Sequence, residues 1–363
     1  MTDPDATDAI PSRRALREQE RRGSRRGTGA VPRKRRRRWP WITGGIVLVV
    51  ALLAGGGYLW YRDVRADLAE VTRLDDSVFP GEEERAVDAT PDALNILLLG
   101  ADDTGELGND INEVTRRSDT ILVLHIPADR QSVQVMSIPR DSYVEVPGFG
   151  EQKINAALSE GGVSTAVSVI EGIIGDRVDH IGIIGFDGLG KMVDVLGGVT
   201  VTNEIGFRPR LLRQNYFPEG ELTLENGTQA LAFVRERQSF PDGDFQRIRN
   251  QQEFIRSIVQ KMLDTGALSN PVTLSNLLGE MAPYLALDNA LSNTRLVEIA
   301  NELAAVPSEN MTFFTIPTLG TGTEGGQSVV YLDDEWVELV GQRFATDDLD
   351  TFLVRPVEDE ATE

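Results

Sequence analysis

Arginines and aspartates recur in short polar patches over 150 residues of this chain. They are Asp102 in LLGADD, Arg117 and Asp119 in RRSDT, Arg140 and Asp141 in SIPRDS, Arg235 and Arg237 in VRERQ, Asp244 in GDFQR, and then Gln251. A guanidinium donates paired hydrogen bonds to phosphate oxygens, and carboxylates are the hard oxygen ligands that Mg²⁺ takes. Brought together, these side chains would hold a diphosphate and a divalent cation. Most of the patches follow directly on a short apolar run, where a strand or helix ends at the rim of a cleft.

Each patch also has a plainer reading. Asp102 and Asp103 beyond an apolar run form an ordinary turn sequence. Arg117 and Asp119 share a face if that stretch is extended; there they either pair as a surface ion pair or divide a phosphate and a metal between them. Pro139 forces Ile138 extended and ends its strand sharply, so Arg140 projects from the end. Arg235 and Arg237 share a face if extended and diverge on a helix. Asp244 stands near the start of the longest helical pattern, where the helix dipole favours a carboxylate cap or a bound anion. His125 and His180, the two histidines, fall in apolar strands and read as structural. With no G-x-S-x-G, Walker A or H-E-x-x-H motif, serine-hydrolase, metalloprotease and P-loop nucleotide-binding readings lose their usual support.

The positioning elements alternate. NILLLG, TILVLHI, VQVMSI and HIGIIGF predict strands buried on both faces, with VTVT extended and MTFFTI and SVVYL as late strands. STAVSVIEGIIG, GLGKMVDVLGG, TQALAFV, QEFIRSIVQKMLDT and TRLVEIANELAAV carry helical spacing. This alternation predicts one α/β domain over 92–345, with helices on both faces of a central sheet.

The rest of the 363 residues reads differently. Residues 1–38 carry 13 Lys+Arg against 5 Asp+Glu and no aromatic residue, which predicts a basic disordered tail. Residues 39–61 carry no charge and would span about 34 Å as a helix, enough for a bilayer core of about 30 Å. Trp39, Trp41, Tyr58, Trp60 and Tyr61 stand at its ends like an aromatic belt. This predicts a single-pass transmembrane helix, and the arginines of 33–38 place the N-terminus in the cytoplasm and the domain outside. Residues 62–91 read as an acidic stalk and 346–363 as an acidic C-terminal tail. From residue 39 onward, 23 Lys+Arg face 52 Asp+Glu, a net of −29, which argues against nonspecific nucleic-acid binding outside the membrane. A local arginine cluster still captures a phosphate, because repulsion is screened over about 8 Å at physiological salt.

In series, NILLLGADD, RRSDTILVLHI, SIPRDSYV, KINAAL with Gly161-Gly162, MVDVLGGV, QALAFVRERQ and GDFQRIRNQQ resemble the LytR-CpsA-Psr (LCP) family of cell-envelope glycopolymer transferases. Asn250 stands where that family usually has an arginine before the QQ pair. The resemblance implies a three-layer αβα domain with a central mixed sheet and a long hydrophobic pocket for a polyprenyl chain. It implies Asp102 and Asp119 as ligands of Mg²⁺, with Mn²⁺ as the alternative ion. Arg117, Arg140, Arg235 and Arg237 would bind the lipid-linked diphosphate, with Arg247 and Gln251 close by; Asp244 would orient the arginines or take the acceptor's proton. The implied activity is phosphotransfer of a glycopolymer from a polyprenyl-diphosphate donor to a peptidoglycan acceptor, by an enzyme in contact with membrane lipid and with no nucleic acid partner. The alternatives are a polyprenyl-(pyro)phosphate-binding protein, a lipid pyrophosphatase, and a transcriptional attenuator, for which the tail offers no helix-turn-helix pattern.

Overall fold

A computed structural model of the chain describes residues 71–101, 107, 118–241, 244–267 and 270–350. In chain order the first elements are β1 (Thr72–Leu74), β2 (Leu94–Ala101), β3 (Ser118–Ile126), β4 (Val133–Ile138), β5 (Ser142–Val146), β6 (Gly150–Lys153) and α1 (Ile154–Ile174). The middle comprises β7 (His180–Gly185), α2 (Phe186–Leu196), β8 (Val199–Asn203), β9 (Gly220–Leu224), α3 (Gly227–Val234) and α4 (Asp244–Asp264). There follow α5 (Pro271–Met281), β10 (Leu285–Asp288), α6 (Asn293–Ala305), β11 (Met311–Thr315), β12 (Thr318–Glu324), β13 (Gln327–Leu332) and α7 (Asp334–Ala345).

Seven strands form the central sheet in the order β1-β10-β7-β2-β3-β4-β11. It is mixed: β2 runs parallel to β7 and antiparallel to β3, and β4 runs parallel to β11. β2 and β4 are buried along nearly their whole length because both sheet faces are covered. On one face Leu97, Leu99, Val123, Met136, Ile181 and Ile183 pack with α1 and α7. On the other, Ile96, Leu122, Val135 and Leu287 pack with α5 and α6. Two smaller sheets flank this core, β12-β13-β5-β6 and the β8–β9 hairpin. The three-layer α/β expectation holds for the domain.

The expected transmembrane helix at 39–61 lies outside the described residues, as do the basic tail and the first part of the stalk. Among the described residues α1 alone is long and apolar enough to cross a membrane, but more than half of its apolar window is buried inside the domain. It begins ten residues before the segment STAVSVIEGIIG and breaks at Gly162, whose φ of 78° is open to glycine.

From Thr72 onward the segment read as a stalk packs on the domain. β1 pairs with β10, and Arg85 donates to the buried carboxylate of Glu171 at 2.7 and 3.0 Å. At the other end Leu349 is buried in the core and Asp347 bonds His125.

Candidate functional site

β4 ends at Pro139, and a turn closed by Ser142 N–H on Pro139 C=O presents Arg140 and Asp141. Both exposed peptide carbonyls of that turn are taken: Asn155 N–H donates to Arg140 at 3.2 Å and Val330 N–H to Asp141 at 2.9 Å. The turn is therefore stapled by the start of α1 and by β13. Asp141 Oδ1 accepts from Lys153 Nζ at 3.0 Å, while its Oδ2 lies 3.7 Å from Arg140 Nε. Arg140 and Asp141 line a small recess with Phe245, Arg247, Ile248 and Val330. The first turns of α4 thus bring a second guanidinium, Arg247, to the end of β4. Two guanidinium groups side by side are the chemistry that recognises phosphate oxygens.

The second pair straddles a helix end, with Arg235 still in a right-handed helical conformation and Arg237 beyond it. Arg235 caps the C-terminus of α3 at φ −97°, ψ −9°, and Arg237 sits in the turn beyond. Glu236, 5% exposed, holds that turn. Its Oε1 accepts the N–H groups of Arg237, Gln238 and Ser239 at 3.1, 2.9 and 3.0 Å, and its Oε2 accepts Arg210 N–H at 2.5 Å. Arg235 lies over the ring of Phe186, 5.7 Å from its centroid.

Gln251 joins these parts. Its Oε1 accepts from Thr120 Oγ1 at 3.1 Å and its Nε2 donates to Val234 C=O at 3.3 Å. It ties the strand that carries Asp119 to the helix end that carries Arg235. Both ends of its amide are engaged by the protein, so it positions the site more than it binds through free hydrogen-bonding groups. Gln252 Nε2 reaches the other way, to Ser137 Oγ at 2.8 Å and Thr315 Oγ1 at 2.9 Å, fixing α4 on β4 and β11 beside Pro139. Arg247 and Gln251, four residues apart, share one face of α4 at about 5–6 Å between Cβ atoms.

Gln251, Val234, Thr120 and Phe186 also line a cavity of about 410 Å³ between the sheet and helices α2, α4, α5 and α6. Its walls are otherwise apolar and include Met262, Leu303 and Met311. From Gln251 to Met262 the cavity follows α4 for about 16 Å. The arginine recess therefore opens one helical turn from one end of a long greasy cavity.

The metal ligands expected from sequence are placed only in part. Ala101 and Ser118 are antiparallel partners; Asp102 follows the first and Asp119 the second. Asp102 and Arg117 lie outside the described residues, as do the side chains of Asp119 and of Asp244, the first residue of α4. Among the described residues no three acidic or histidine side chains converge as a metal site.

Neither histidine lines the recess or the cavity. His125 is buried between Asn95 Oδ1 at 2.7 Å and Asp347 Oδ1 at 3.1 Å, with its ring against Phe344. His180 faces Asp288 at 3.3 Å. Burial pushes the Asp347 and Asp288 carboxyls up, but hydrogen bonds from the histidines and from backbone N–H groups outweigh it, leaving both below their ordinary value. Both histidines are structural, as their apolar contexts suggested.

The family model described as the LytR_cpsA_psr family matches residues 67–343. The chain belongs to the LytR-CpsA-Psr family. Among curated LCP relatives, "Cell wall biosynthesis protein LcpA" of Corynebacterium glutamicum is 30% identical over 333 residues, 80% of this chain. The match spans 62% of LcpA, less than two thirds of that protein's length. "Polyisoprenyl-teichoic acid--peptidoglycan teichoic acid transferase TagU" of Oceanobacillus iheyensis is 32% identical over 257 residues, covering 68% of this chain and 77% of TagU. The crystal structure of B. subtilis TagT has the same fold, with a TM-score of 0.57 at 22% identity over 74% of this chain and 98% of TagT. The structure of TagT bound to LIIa-WTA gives a TM-score of 0.58 at 23% identity, with the same coverage.

Within this LCP domain, Arg140 and Arg247 converge in one recess, and Arg235 follows Val234 and lies over Phe186, both of which line the cavity with Gln251. Arg237 is exposed on the Arg235 turn. Glu236 and Gln252, which position the site, are not among the residues singled out from sequence. Their only signal is adjacency: each stands directly beside a residue chosen for its chemistry.

Proposed function

We propose that this chain is a membrane-anchored phosphotransferase that moves a glycopolymer from a polyprenyl-diphosphate carrier to a peptidoglycan hydroxyl. One observation carries the reading: an apolar cavity running along α4 ends one helical turn from the Arg140–Arg247 recess. A prenyl chain buries its apolar surface in the cavity, and the diphosphate that follows it then falls among the arginines. TagU's name describes the corresponding transfer of teichoic acid; for this chain the polymer is left as a glycopolymer.

In the proposed reaction the acceptor oxygen forms a bond to the phosphorus that carries the sugar. The bond from that phosphorus to the bridging oxygen breaks, and lipid monophosphate leaves. Arg140 and Arg247, with Arg235, Arg237 and Arg117, brace the charge on the transferred phosphoryl group, as fixed cations do in such reactions. Asp141 and Lys153 hold Arg140 in place, and Glu236 holds the turn of Arg235 and Arg237. Asp244 is assigned to orienting these arginines or to taking the hydroxyl proton. Asp102 and Asp119 are hard oxygen donors that suit Mg²⁺ or Mn²⁺ and would hold it; the ion would neutralise diphosphate charge. Residues 39–61 would anchor the enzyme, with residues 1–38 in the cytoplasm and the domain outside.

The test is a transfer assay on the full chain with Mg²⁺, a synthetic lipid-diphosphate sugar and a peptidoglycan oligomer. A glycan–peptidoglycan phosphodiester with matching release of lipid phosphate is expected, and EDTA removes both. Lipid phosphate without conjugate would identify a pyrophosphatase, and binding without either product a carrier.

A further inference from the structure

The connection between β8 and β9 carries three of the six large apolar side chains that are strongly exposed among the described residues: Ile205, Leu211 and Tyr216. Interleaved with them are Arg208, Arg210 and Arg213, all exposed, and residues 205–218 hold no acidic residue. This stands out in a chain that is −29 from residue 39 onward.

The connection is built rather than slack. Phe207 and Phe217 bridge each other by two backbone hydrogen bonds of 2.9 Å, and their rings pack with Phe233 and Phe240. Turns closed by Leu212 on Pro209 and by Asn215 on Leu212 shape the tip. Arg208 lies over the ring of Tyr216, 5.4 Å from its centroid.

It is also fastened to the candidate site. Arg210 N–H donates to Glu236, Arg210 Nη1 to Gln238 at 3.0 Å, and Ser239 Oγ to Arg208 C=O at 3.1 Å. Those partners form the turn that follows Arg235, which lies over the cavity-lining Phe186.

We propose that residues 205–217 seat on the anionic surface of a lipid bilayer, with Leu211, Ile205 and Tyr216 entering the interface and the arginines on lipid phosphates. Exposed apolar and aromatic side chains alternating with arginine are what an interfacial element requires, and the charge complements anionic headgroups. Because the connection and the Arg235 turn share Glu236, seating one holds the other near the plane from which a lipid-linked substrate enters. The seating needs no turnover, so it stands or falls separately from the transfer reaction.

The chain has no cysteine, so Leu211→Cys in the full chain accepts one environment-sensitive dye. The labelled protein is reconstituted in vesicles of phosphatidylcholine with phosphatidylglycerol, and in phosphatidylcholine alone, each containing brominated lipid. Leu319→Cys, also on a strongly exposed position, gives the reference. The expected result is a blue shift and quenching at 211 in anionic vesicles, little at 319, and loss of the effect in Arg208→Glu/Arg213→Glu at unchanged circular dichroism. At about fivefold per arginine the pair raises the seated-to-lifted ratio roughly thirtyfold. Equal signals at 211 and 319, no quenching at 211, or a dye at 211 that responds to a soluble anionic glycopolymer and not to vesicles would overturn the proposal.

Discussion

Glu236 offers a sharp test of how the arginines are presented. Its carboxylate accepts four backbone N–H groups, three from the turn and one from Arg210. Hydrogen bonds to a charged acceptor contribute about 1.5–3 kcal/mol each, but Arg237, Gln238 and Ser239 are exposed and water replaces much of what their N–H groups lose. Glu236→Ala should therefore cost about 3 kcal/mol, near one full charged bond plus a remainder. At about 2–4 °C per kcal/mol that lowers Tm on the order of 8 °C. Glu236→Gln keeps the shape and one acceptor oxygen and should lose about half as much. Transfer should fall in the same order, in kcat/KM for the lipid diphosphate, because Arg235 and Arg237 lose the fixed turn from which they brace the transferred phosphoryl group. Thermal melts and steady-state kinetics on the two variants make the comparison. If Glu236→Ala melts with the wild type and turns over normally, the carboxylate does not hold the turn. A wild-type kcat/KM in Glu236→Ala despite a lowered Tm would refute a positioning role.

Arg140→Lys retains charge but not the paired donor geometry, and it should lose transfer on the order of 10²-fold while melting normally; Arg140→Ala should lose at least as much, and wild-type rates in either would remove Arg140 from the site. Val259 lines the cavity, so Val259→Trp should fill it, weaken polyprenyl phosphate binding at least about tenfold and leave Tm level or raised, as measured by titration and calorimetry. Asp347 has a carboxyl held below its ordinary value of 3.8. Its contribution is therefore present above pH 3.8 and disappears as pH falls through that value and below. Asp347→Asn should melt lower than wild type at pH 7 and converge with it near the acid end of a pH series. Asp179, raised by burial, works with the opposite sign, weakening the fold as pH climbs above 3.8, so Asp179→Asn should flatten that part of the curve.

What the sequence revealed follows from where the elements lie. β2, β3, β4 and β7 are covered on both faces, and their apolar runs are long enough to read directly. β1 and β10 are three and four residues long, and each is a strand only because of partners far away in sequence: Thr72 pairs with Ala286 and Leu285 with Ile184. No local period marks such a strand. α5 is interrupted by Thr, Ser, Asn and Gly, whereas α7 carried a usable signal in its Asp333 cap, acidic first turn and basic last turn. The candidate arginines stand out in the sequence because a guanidinium at an element end has few other uses in series. Their supports do not. Glu236 looks like one more charge in VRERQ until its four backbone donors are seen, and Gln251 looks like a ligand until both ends of its amide are found engaged.

The central claim is that a prenyl chain occupies the cavity along α4 with its phosphate at Arg140 and Arg247. A crystal structure of the protein with a polyprenyl phosphate tests it most directly. The account predicts continuous density from Met262 to Gln251, ending in a phosphate within hydrogen-bonding distance of Arg140 and Arg247. A lipid bound elsewhere, with this cavity empty and the recess without phosphate, would contradict it.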